Sequence, residues 1–101
     1  MRDQDRDIVV KSCNEADEIF SQEVPDDEFA LLFVAVQFSE IFRKAATDIE
    51  RDINKSSLRH AIDETFHLSS HEMRFQNRYP VIWSGLTALR PAAGQLSREF
   101  F

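Results

Sequence analysis

Between Glu28 and Glu40 the chain carries its longest apolar run, Phe29 to Val36, continuing through Gln37 to Phe38. No other segment constrains the fold as much. A half-buried strand would alternate apolar and polar residues and favour β-branched ones, and this run does neither. It therefore predicts a helix. Apolar residues lie nearly all round its axis from 29 to 42, so that half is expected to be buried on several sides. It is far shorter than the ~20 residues of a membrane-spanning helix. Pro25 suits a first helical position, and Asp26, Asp27 and Glu28 suit a first turn. Beyond residue 42 the segment turns amphipathic and charged, with Leu31, Val34, Phe38, Ile41, Ala45 and Ile49 marking one face. One long helix over about 25–54 is the expectation. At 1.5 Å per residue it would be ~45 Å long. A compact chain of this size is only ~30 Å across, so one end would project unless a second copy covered it. An unbroken helix of that length thus predicts a homodimer.

The remaining pattern is also helical. Ile8, Val9, Cys13, Ala16, Ile19 and Phe20 recur at helical spacing over 4–21. Asn54 to Ser57 is a polar break rich in N-cap residues, followed by a helix over about 57–68 with Leu58, Ala61, Ile62, Thr65 and Phe66 on one face. Ser69-Ser70-His71-Glu72 has the form of a capping box and opens a fourth helix. Pro80 kinks or restarts it, Arg90-Pro91 ends it, and residues 92–101 form a short terminal helix. With only 2 Gly and 3 Pro in 101 residues, the composition argues against a turn-rich β-sandwich or barrel. The 43% of hydrophobic residues argues against disorder. The expectation is a single all-α domain over residues 1–101, a bundle of four to five helices built around the long central one.

The formal net charge of −6 disfavours nucleic acid and anionic membrane surfaces as partners. That charge is unevenly spread. Residues 1–50 hold 13 acids and 5 bases, whereas residues 51–101 hold 5 acids and 7 bases. A chain so divided favours antiparallel self-association or a basic protein partner. Arg2 to Glu28 alone carry 10 acids and 3 bases. A single cysteine, Cys13, and no apolar segment near the start fit a reducing cytosol.

Few residues suggest chemistry. His60, Glu64, His67 and His71 are spaced to share one helix face. Glu64-Thr65-Phe66-His67 is a Glu-x-x-His, the unit that di-iron bundles use in pairs, but no second copy follows. His60, Glu64 and His67 are therefore the candidate metal ligands of an alternative reading as a metal-dependent helical enzyme. Paired carboxylates occur at Glu15 and Glu18 on the first helix and at Asp48 and Asp52 on the second, and the Glu15-x-x-Glu18 pair resembles the first half of the Glu-x-x-Glu, Glu-x-x-Asp pattern of all-α nucleotide pyrophosphohydrolases. The second half fails, because Arg43 follows Glu40 and Ile53 follows Glu50 at the required spacing. Cys13 lies on the predicted apolar face with acidic neighbours, which reads as an inert thiol. With two glycines there is no phosphate-binding loop. No catalytic residue and no cofactor is expected.

The aromatics are the stronger signal. Tyr79, Trp83, Phe100 and Phe101 are hard to assign to a core and are expected as partner contacts. Asp17, Glu18, Asp26 and Asp27 are the expected charged contacts. The preferred reading is a small acidic non-catalytic interaction protein, an adaptor, inhibitor or immunity-type protein acting as a homodimer. A small-ligand pocket within the bundle is a third possibility.

Overall fold

The computed structural model describes residues 1–47, 53–70 and 73–101. Among these there are six α-helices and no strand: α1 (Asp3–Phe20), α2 (Phe29–Thr47), α3 (Lys55–Leu68), α4 (Met73–Arg78), α5 (Pro80–Ala88) and α6 (Arg90–Phe100). A 3-10 turn, Asp26–Glu28, leads into α2. The helical bundle expected from the periodicity is present, with one helix more than the expected four to five.

The expected long helix is shorter at both ends. Pro25 is extended (φ −60°, ψ 150°) and caps the 3-10 turn rather than starting α2. Ile53 and Asn54 lie outside any helix. Asn54 ends the connection by accepting a 3.1 Å bond from the Ser57 amide at the start of α3. Residues 48–52, and with them the expectation of continuity there, lie outside the described residues. At 19 residues α2 is ~28 Å long. It fits within the longest extent of the fold, 37 Å, so helix length gives no reason for a second copy.

Two prolines set the remaining breaks. Pro80 has no N–H to give to Gln76, and Tyr79 takes the bend (φ −130°, ψ 63°) between α4 and α5. Pro91 likewise cannot bond to Thr87. It ends α5, as expected, but sits in the first turn of α6, which starts at Arg90 rather than after the proline. At this second break the Ser12 hydroxyl of α1 enters the helical ladder. It donates to the Ala88 carbonyl (2.6 Å) and accepts from the Ala92 amide (3.3 Å), two groups that would bond each other in an unbroken helix.

The core lies where α1, α2, α3, α5 and α6 meet. Phe42, Leu58, Ile82, Leu86, Leu89 and Leu96 are fully buried. Ala16, Ala35, Ala61, Ala92 and Ala93 fill the positions where the helices approach closely.

Candidate functional site

The α1–α2 pair fixes which part of α2 remains uncovered. Arg6 donates to the Ala46 carbonyl (3.0 Å) and Cys13 to the Ser39 carbonyl (3.5 Å). Ser39 donates to Asp17 Oδ1 (2.8 Å), and Arg43 donates to Asp17 Oδ2 and Asn14 Oδ1 (both 2.8 Å). Positions rising along α1 thus meet positions falling along α2, so the two run antiparallel. Phe20, the last residue of α1, shares a shallow groove with Val36. The first two turns of α2 therefore extend past the end of α1.

That overhang carries the apolar surface. Phe33 is 71% exposed, Phe29 47% and Val34 38%, with exposed Ala30 between them. The expectation that 29–42 would be buried on several sides is corrected here. Ala35, Phe38 and Phe42 enter the core, and Leu31, Leu32, Val36 and Ile41 pack half-buried on either side of them, which leaves Phe29, Ala30, Phe33 and Val34 uncovered. The antiparallel offset ends α1 too early to cover the start of α2. Exposed Asp26 precedes the apolar residues, and exposed Glu40 and Lys44 follow them on the same side of the helix.

The other expected contact residues are placed differently. Trp83 is half-buried and its indole donates to the Ser70 carbonyl (3.3 Å), next to Arg90, which donates to Ser69 Oγ (3.0 Å). Together they satisfy the polar end of α3. Tyr79 is half-buried, packs on Phe75 (centroids 5.2 Å apart), and accepts from Arg78 Nε (2.9 Å). Phe100 packs against the core, while Phe101 is 50% exposed beneath the Arg59 guanidinium. Asp17 is held by Arg43 and Ser39. Glu18, Asp26 and Asp27 are exposed. The structure thus brings Asp26 beside the α2 surface, sets Tyr79 and Trp83 one turn apart at the start of α5, and leaves Phe100 and Phe101 together at the end of α6. Phe29, Phe33 and Val34 were missed as contacts. Their signal was present in the sequence as an all-round apolar helix next to an acidic turn.

Glu28 is the unusual acid. It is buried, and its Oε2 has no hydrogen-bond partner. Burial pushes its carboxyl above the ordinary value of 4.5, and the negative charge of Asp27 adds to this. The folded state therefore binds the proton more tightly than the unfolded chain. Stability contributed by protonated Glu28 is full below the ordinary value and is lost as pH rises through the raised folded value. Glu28→Gln is expected to melt higher than wild type at neutral pH and to flatten the melting profile just above pH 4.5. A lower melting temperature at pH 7 would contradict this placement of the charge.

The residues considered for chemistry do not converge. His60 is exposed and meets Phe38 edge-on at 6.2 Å, Glu64 is half-buried and His67 exposed. His71 lies outside the described residues, as do Asp48 and Asp52. Among the described residues no three His, Cys, Asp or Glu side chains gather as metal ligands. Glu15 and Glu18 border an open groove on α1 with Asp7, Val10, Lys11 and Asn14, a surface formed by one helix rather than an enclosed pocket. Cys13 is buried, and burial pushes its thiol up despite the lowering effects of Ser39 and Arg43. None of the described helices is long and apolar enough to cross a membrane. No protein-family model matches the sequence, and neither curated proteins nor solved structures give a match.

Proposed function

We propose that this chain is a small non-catalytic protein-interaction module that docks through the overhanging face of α2. The observation that carries this reading is the 71% exposure of Phe33 beside exposed Phe29, Ala30 and Val34. A contiguous apolar surface on a well-packed chain marks an interaction site more often than isolated exposed residues do. Large side chains at the centre of such a patch supply most of the binding energy, and surrounding charges steer the encounter. Exposed Asp26 and Asp27, in the turn that leads into α2, are the charges that would steer. Its single buried thiol fits work in the cytosol.

Phe33→Asp tests the reading. Its side chain has little core contact to lose, so at high dilution the stability is expected to stay within about 0.5 kcal/mol of wild type. Used as bait in extracts of the source cell, wild type is expected to retain proteins that the variant does not. Identical captured sets would refute docking through α2.

A further inference from the structure

We propose that the occupant of this face is a second copy of the chain, with the two α2 helices antiparallel about a two-fold axis. The proposal rests on the reading of α2 as a docking surface and names its partner. The 3-10 turn sets exposed Asp26 in line with Phe29, and taken in 100° steps the outer side of α2 then presents Phe29 and Ala30, Phe33, Gln37, Glu40 with Ile41, and finally Lys44. All are exposed except half-buried Ile41. Among the described residues neither Asp26 nor Lys44 forms an ion pair. One narrow face therefore has an acid at its start, apolar residues near its middle and a base at its end.

Such a face is complementary to itself when rotated by a half-turn. Asp26 reaches the partner's Lys44, and Ile41 meets the partner's Ala30. Phe33 lies over the partner's Gln37, with the two Phe33 positions about one helical turn apart across the axis. Glu40 lies beside the partner's Phe29 at the edge of the seam, where its carboxylate turns toward Lys44 on its own helix. The antiparallel helix dipoles favour the same arrangement. A parallel pairing would set acid beside acid and base beside base. A basic helix from another protein would satisfy Asp26 but oppose Lys44. A single helix-on-helix seam ~28 Å long buries less than the ~800 Å² per partner of a standard interface, so micromolar association is expected.

Charge exchange separates this arrangement from the alternatives. Sedimentation equilibrium of wild type, from about 10 μM to about 1 mM, is expected to show the mass rising from 11.8 kDa toward twice that value. Asp26→Lys alone and Lys44→Asp alone should each associate at least about tenfold more weakly, because each sets like charges together. Mixed in equal amounts, the two variants restore opposite charges at both ends and should associate as wild type does. A wild-type mass of 11.8 kDa throughout, or a mixture no tighter than either variant alone, overturns the proposal. If wild type stays monomeric while Phe33→Asp still loses its captured proteins, self-association is refuted and docking through α2 survives. If captured proteins are also unchanged, both fail.

Discussion

Gly85→Ala is expected to lower the melting temperature by roughly 10 °C, whereas Gly94→Ala is expected to raise it by a few degrees. Both glycines lie inside helices, where alanine is normally preferred by about 1 kcal/mol. The surroundings decide the sign. A Cβ on Gly85 would collide with Phe20 Cε1, and would lie 2.5 Å from its Cζ and 2.7 Å from its Cδ1. Phe20 is the buried last residue of α1, so its ring can yield only by shifting the α1–α5 contact. Overpacking of this kind costs about 1–3 kcal/mol or more. After the gain in helix preference, a net loss of about 2 kcal/mol remains, and each kcal/mol moves a domain of this size by about 4–8 °C. At Gly94 the nearest atoms, Arg98 Nη1 at 3.7 Å and Phe66 Cζ at 3.9 Å, leave room. Thermal melts of the two variants check the pair of signs. Phe20→Leu should recover part of the loss in the Gly85→Ala background, a coupling absent at Gly94. Equal effects at both glycines would contradict the close approach of α1 to α5.

Ser12→Val is expected to cost about 2 kcal/mol, although it only exchanges a hydroxyl for methyl groups. Ser12 is 3% exposed, and its hydroxyl serves both the Ala88 carbonyl and the Ala92 amide. Removing it leaves two backbone groups without partners, each worth about 1–3 kcal/mol when buried. Direct closure of the Ala88–Ala92 bond would recover part of this, but it requires α5 and α6 to straighten past Pro91 and leave their seats on α1. Urea unfolding should report the loss, and hydrogen exchange should show the Ala92 amide losing protection more than amides in α3. Ser12→Ala is expected to behave alike, with a smaller steric component. A loss below about 0.5 kcal/mol with unchanged Ala92 protection would show that the hydroxyl does not bridge the break.

These two sites also show what the sequence could and could not reveal. Periodicity located α1, α3 and the core faces of α2, because burial of Val9, Cys13, Ala16, Phe38, Phe42, Leu58 and Ile62 follows directly from helical spacing. Pro80 and Pro91 marked the breaks for a local reason, the missing N–H. The Ser12 bridge spans 76 residues and has no local signature, so no pattern could announce it. The same holds for Gly85, whose close approach depends on where α1 ends. The surface was misread for a related reason. Trp83 and Tyr79 looked like free anchors, but the carbonyl of Ser70 and the guanidinium of Arg78 engage their polar ends within the chain. Phe33 looked like core because its neighbours are apolar. Its exposure arises from the antiparallel offset set by Asp17, Ser39 and Arg43, a contact between two helices that neither sequence segment states alone.

The most direct test of α2 as a self-docking face is the melting temperature of wild type and Phe33→Asp as a function of protein concentration. Association that favours the folded chain raises the wild-type melting temperature with concentration. The predicted result is a rising wild-type curve, a flat Phe33→Asp curve, and the same value for both at high dilution. A flat wild-type curve, or a variant that melts well below wild type at high dilution, would contradict it.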